Sequence, residues 1–118
     1  MKSFLFIMRH LPNIGIHVQE TLDMVLTTAA FDQTVSLLFV DDGVLQLNKL
    51  QNAQSIGLRD TIAVFSALEV YDVTQIYVEI ESLQARGLQV IDLILPVQLI
   101  QRRDTSEFMQ QYDVLLTD

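Results

Sequence analysis

The chain reads as an α/β fold built on a mostly parallel sheet. Three observations predict it. Apolar runs of strand length alternate with segments whose apolar residues recur at helical spacing. The run Val35–Val40 is apolar except for Ser36, as a strand covered on both faces must be. It then stops on Asp41-Asp42-Gly43, and Asp and Gly favour turns. Strands that alternate with helices imply right-handed βαβ crossovers and a parallel sheet.

Residues 3–9 form the first apolar run and predict a strand. The same stretch has the Lys2 and apolar core of a short signal peptide, but no small-residue cleavage site follows, so a strand is expected. Leu11-Pro12-Asn13-Ile14-Gly15 is a loop, punctuated by Pro and Gly. From His17 to Ala30, Val18, Leu22, Val25, Leu26 and Ala29 mark one helical stripe. Glu20 and Asp23 sit early in that helix, where its dipole favours acids.

Val35–Val40 is the second strand, and Val44–Leu47 suits one helical turn. Asn48–Gly57 is polar and irregular, the segment expected to move most. Leu58, Ile62, Phe65 and Leu68 mark a second helix ending near Glu69. Gln75–Glu79 is a third strand, rich in β-branched and aromatic residues. Ser82–Arg86 reads as a short helix capped by Ser82 and ended by Gly87. Val90–Leu95 is the expected fourth strand, closed by Pro96. Thr105–Gln111 is a last helix and Val114–Leu116 a final short strand.

Together these elements predict one domain over residues 1–118: a flavodoxin-like, five-stranded sheet with helices on both faces. Ligands and partners of such sheets meet the carboxyl ends of the strands. Those ends carry Arg9 and His10, then Asp41, Asp42 and Gly43, then Glu79.

Composition narrows the function. The 118 residues carry 15 acidic and seven basic side chains, a net charge of −8. Lys2, Arg9, Lys49, Arg59, Arg86, Arg102 and Arg103 are scattered and form no basic stripe for phosphates. Direct nucleic-acid binding is not expected, and an acidic surface repels anionic membranes. No apolar run reaches the ~18–20 residues of a membrane span, so the expected location is the cytoplasm. There is no cysteine, hence no disulfide and no thiolate. Half the residues are hydrophobic, which requires strands buried on both faces or an outer face covered by a partner.

Few residues carry candidate chemistry. Gly15 stands alone after the first strand, so no Gly-rich phosphate loop is present and no cofactor is expected. His10, Asp41, Asp42 and Glu79 converge at one sheet edge; hard oxygens with one imidazole suit Mg²⁺ or Mn²⁺. A solvated acidic turn with a helix-capping carboxylate explains the same residues, and that reading, with no metal, is the expectation. A phospho-receiver site lacks the Lys that would complete it. His17 and Ser66 have no evident base or orienting partner, so no catalytic residue is assigned. Arg102-Arg103 suits a solvated edge. Phe4, Phe6, Phe31, Phe39 and Phe65 fall on expected core faces, while Tyr71 and Tyr77 suit either a core or a partner-facing place.

Three segments resemble the TusC/DsrF branch of the DsrE-like sulfur-relay family. They are Ala29–Gln33 leading to Asp41-Asp42-Gly43-Val44-Leu45-Gln46-Leu47, then Gly57-Leu58-Arg59-Asp60, then Ile76-Tyr77-Val78-Glu79 with Ser82-Leu83-Gln84-Ala85-Arg86-Gly87-Leu88. Tyr112–Leu116 supports the match at the end of the chain.

The resemblance implies a DsrE-like fold and a cytoplasmic, non-catalytic subunit. Its partners would be TusB/DsrH-like and TusD/DsrE-like sisters, in a heterohexamer arranged as a dimer of trimers. Such a complex passes persulfide sulfur toward 2-thiolation of a tRNA wobble uridine, or serves sulfur oxidation. The sister's sulfur-bearing cysteine lies eight residues before a glycine, and counting back eight from Gly87 reaches Glu79. Glu79 is therefore the cysteine-equivalent position, with His10, Asp41, Asp42, Gly43 and Tyr77 as possible interface or strand-end residues. As an exposed carboxylate, Glu79 is expected to contribute on the order of 0.5 kcal/mol or less to stability. The competing reading is a free-standing domain that binds a ligand or a divalent metal.

Overall fold

A computed structural model describes residues 2–9, 17–31, 33–48 and 66–117. Five strands form one sheet: β1 (Ser3–Met8), β2 (Thr34–Phe39), β3 (Gln75–Glu79), β4 (Gln98–Ile100) and β5 (Val114–Thr117). Every pairing is parallel and the order is β4-β3-β2-β1-β5. The chain lays strands outward from β1 to β4, then returns to add β5 on the far side of β1. This is a doubly wound α/β sheet of the flavodoxin-like class, with its own strand order.

Strand alternation divides the apolar residues between two faces. One face carries Phe6 and Met8 of β1, Leu37 and Phe39 of β2, and Ile76 and Val78 of β3. Leu22 and Val25 of helix α1 (His17–Ala30) pack there, with Leu68 from the helical residues 66–70 and Leu83 from α2 (Ile80–Ala85). The other face carries Leu5, Ile7, Leu38 and Val40, covered by Phe108 and Met109 of α3 (Arg102–Met109) and by Tyr112. Tyr112 also hydrogen-bonds Ser36, and burial pushes its phenol above the usual value.

Several expectations are corrected. The apolar stretch Val90–Leu95 is not a strand. The Asp92 side chain accepts the Gln89 N–H at 2.9 Å, curling Val90–Asp92 into a 3-10 turn. Leu93, Ile94 and Leu95 then pack on the first core face, and β4 forms later, at Gln98–Ile100. The last helix starts at Arg102 rather than Thr105. Ser82 does not cap its helix: Glu79 holds the N-cap position, and Ser82 is buried one turn in. Phe31 is not core. A turn bond from its N–H to the Thr28 carbonyl carries it off the end of α1, leaving it 72% exposed. Phe65, the loop at 11–15, the segment 49–57 and most of the expected second helix lie outside the described residues.

Gly87 does end α2. It sits at φ +67°, where glycine has no Cβ penalty, and the Leu88 N–H reaches back to the Leu83 carbonyl at 3.0 Å. None of the described helices is long and apolar enough to cross a membrane.

Candidate functional site: the carboxyl edge of the sheet

β2 ends at Phe39, and Asp41–Leu47 turns away as a 3-10 helix. Asp41 and Asp42 thus open a short helix, where a simple turn was expected. Asp41 adopts φ +51°, a left-handed conformation that Asp tolerates better than most residues. Gly43 explains the tightness of the bend. A Cβ built on it would lie 1.9 Å from the Met8 carbonyl oxygen, so only glycine lets the turn close over the end of β1. His10, expected beside this turn, lies outside the described residues.

The next strand brings the third acid. Side chains alternate along β3, so Glu79 shares a face with Tyr77, the face that α3 covers. Register places Glu79 opposite Ile100, two residues before Arg102. The guanidinium therefore reaches the carboxylate. Arg102 donates to Glu79 Oε1 from Nη2 at 2.9 Å and from Nε at 3.1 Å. The Ser82 hydroxyl donates to the same oxygen at 2.6 Å and accepts the Asp41 N–H at 2.8 Å. One carboxylate thus links β3, the start of α3, α2 and the turn after β2.

Burial corrects the expected character of Glu79. The residue is 4% exposed, not a solvated surface acid. Its partner is split: the Arg102 side chain is 58% exposed, so one end of the pair is dry and the other wet. Arg102 was expected on a solvated edge; its backbone N–H also donates to Glu81 Oε1 at 2.8 Å. That bond, ahead of the nearby Arg102 and Arg103 charges, holds the Glu81 carboxyl below its usual value. Asp42 pairs with Arg86, whose Nη2 lies 2.9 Å from Oδ1. Arg86 also donates to the Ser82 carbonyl at 3.1 Å.

The remaining expected residue, Tyr77, is half-buried and packs against Phe108 with ring centroids 4.5 Å apart. It supports the α3 face. Among the described residues no group of three or more His, Cys, Asp or Glu side chains is placed to hold a metal. The arrangement fixes the Glu79 side chain at a strand end through Ser82 and Arg102. All three donors converge on one oxygen, Oε1.

Sequence reasoning found Glu79, Asp41, Asp42 and Gly43 but missed Arg102 and Ser82. The signal for Ser82 was its place three residues after Glu79, within reach across one helical turn. Arg102 carried no local signal, because its pairing depends on where β4 falls.

The site defines a class: a doubly wound α/β domain whose strand-end position holds a buried carboxylate paired with a half-exposed arginine. A family model described as DsrE/DsrF-like matches residues 2–117. The chain belongs to the DsrE/DsrF-like family. It is 43% identical over 94 residues to the intracellular sulfur oxidation protein DsrF of Allochromatium vinosum, covering 80% of this chain and 69% of that one. It is 35% identical over 116 residues to a protein TusC homolog of Pseudomonas aeruginosa, covering 98% of each. Among solved structures, the crystal structure of the ychN protein from E. coli superposes with a TM-score of 0.77 at 14% identity, covering all of both chains. That likeness establishes the fold.

Proposed function

We propose that this chain is a non-catalytic subunit of a cytoplasmic sulfur-relay complex of the TusBCD or DsrEFH type. The observation that carries the reading is its family membership with relatives named TusC homolog and DsrF. The chemistry of the chain agrees. Carrying persulfide sulfur requires a nucleophilic thiolate, and the 118 residues hold no cysteine. At the strand end where a sister subunit would present its thiol, this chain presents Glu79, closed by Arg102 and Ser82. The sisters are TusB/DsrH-like and TusD/DsrE-like chains in a dimer of trimers. The subunit's part is to hold them in register.

The complex serves 2-thiolation of a tRNA wobble uridine, a reading supported by the end-to-end match to the TusC homolog. The 43% identity to DsrF favours a second reading, the same assembly working in sulfur oxidation. Transfer of labelled sulfur by the complex reconstituted with its sisters tests the subunit's role. Glu79→Gln should leave the transfer rate within a few-fold. A loss of about a hundredfold, or roughly 2.7 kcal/mol of barrier, with assembly unchanged would overturn the non-catalytic reading. Measuring wobble thiouridine in a strain lacking the gene separates the two pathways: loss of the modification supports the first, and an unchanged level with impaired sulfur oxidation supports the second.

A further inference from the structure

Among the described residues β4 is the outermost strand on its side of the sheet. Beside it lies a groove of about 460 Å³, lined by Leu83 and Leu88 from α2 and its end, by Val90, and by Leu99 of β4. Among the described residues no charged side chain lines it. Leu99 and Val90 are nearly half exposed, and the neighbouring Ile91 is 75% exposed. An apolar strip with a polar border, beside the outer strand of a sheet, has the anatomy of a protein interface.

The surrounding charges decide what fits. Of the nearby arginines, Arg86 is committed to Asp42 and Arg102 to Glu79, and Arg103 stands close enough to Glu81 to act on its charge. Asp92 stands at the rim, where it accepts the Gln89 N–H. Glu81 follows Ile80 of the lining and stays ionised, held below its usual value mainly by the Arg102 N–H, with Arg103 adding to this. The chain as a whole carries −8. A second copy would set acid against acid on this edge.

We infer that the β4 edge and its groove dock a different protein chain, one that lays an apolar ridge along Val90, Ile91 and Leu99 and brings Lys or Arg to meet Asp92. This rests on the sulfur-relay reading, which makes that chain a sister subunit. The face carrying Phe31 is left outside the contact and serves as the control.

The test co-expresses the chain with its TusB-like and TusD-like sisters and follows assembly by sedimentation velocity. Paired Ile91→Asp and Leu99→Asp substitutions should weaken assembly at least tenfold. Asp92→Lys should weaken it less, by an amount that shrinks as salt is raised. Phe31→Asp should leave it unchanged. Far-ultraviolet circular dichroism and thermal melts of each variant separate lost docking from lost folding; if the double variant melts early, Ile91→Asp alone is scored. A complex that survives Ile91→Asp within twofold overturns the inference and leaves the relay reading standing. A wild-type chain that self-associates through this face, with Ile91→Asp curing it, also overturns it. A wild-type chain that binds neither sister sinks the relay reading, and the docking proposal with it.

Discussion

The two ends of the sheet use the same device in different solvents. At the carboxyl end, Glu79 Oε1 collects donors from Ser82 and Arg102 at 2.6–3.1 Å. At the amino end, Asp113 Oδ2 collects the Ser3 N–H at 2.9 Å and the Ser3 hydroxyl at 3.2 Å, tying β5 to β1. Bond lengths alone would rank the two as near equals. Glu79 is buried, however, and Asp113 is exposed. Water replaces a lost donor at Asp113 and cannot do so at Glu79. A hydrogen bond is worth most where its loss leaves a group unsatisfied. The carboxyl edge should therefore be brittle and the amino edge forgiving.

The largest break in that comparison is Gly43→Ala. The new methyl would meet the backbone of β1, 1.9 Å from the Met8 oxygen and 2.5 Å from its carbon. No flexible side chain is available to yield, so the turn after β2 must move. Overpacking typically costs about 1–3 kcal/mol and occasionally more, and a clash with backbone belongs at the top of that range. Urea unfolding followed by circular dichroism should show it as a lowered midpoint. A midpoint unchanged from wild type would mean the carboxyl edge is soft after all.

Glu79→Ala comes next. It removes the acceptor that serves one hydroxyl and two guanidinium donors. Hydrogen bonds to charged groups are worth about 1.5–3 kcal/mol, and the half-exposed arginine recovers part of its share from water. A loss of about 2 kcal/mol in urea unfolding is expected, well above the 0.5 kcal/mol or less expected for an exposed acid. Ser82→Ala should follow at about 1–2 kcal/mol, because it strips the Asp41 N–H of its acceptor while Arg102 still satisfies Glu79. If Ser82→Ala proved the costlier of the two, the hydroxyl rather than the carboxylate would be the centre of the network.

The elements that later carry the site differ in how plainly the chain announces them. Strand β3 matches its apolar run end to end, Gln75–Glu79, and α1 matches its stripe, His17–Ala30. β3 buries Ile76 and Val78, and α1 buries Leu22 and Val25. β4 falls elsewhere because Val90–Leu95, the more β-like stretch, starts in a 3-10 turn closed by a capping box between Gln89 and Asp92 and by backbone bonds from Asp92 to Gln89 and from Leu93 to Val90. The true strand holds only three residues, one of them Gln98, and shows two exposed side chains. That error hid Arg102. Glu79 was legible as the last residue of its strand, whereas its burial was not. Burial depends on a guanidinium brought in from 23 residues away by strand pairing. Local pattern reports which face a residue takes, while tertiary register decides what meets it there.

The smallest effect sharpens the comparison through pH. The Asp113 carboxyl is held below its ordinary value first by the Ser3 N–H and then by the Ser3 hydroxyl. A carboxyl whose folded value is depressed favours the folded state once the unfolded chain has ionised, above about pH 4. That contribution drains away as pH falls through the folded value. Glu81 behaves alike at the carboxyl edge, where the Arg102 N–H depresses it. Unfolding midpoints of wild type should therefore fall between about pH 5 and pH 2. Asp113→Asn should flatten part of that slope while moving the neutral-pH midpoint less than Ser82→Ala does. Glu81→Gln should flatten a separate part, and the two should add, since the residues sit at opposite ends of the sheet. An Asp113→Asn profile parallel to wild type across the acid range would show that the Ser3 bonds do not hold in solution. An Asp113→Asn loss at pH 7 as large as that of Glu79→Ala would erase the contrast between a wet edge and a dry one.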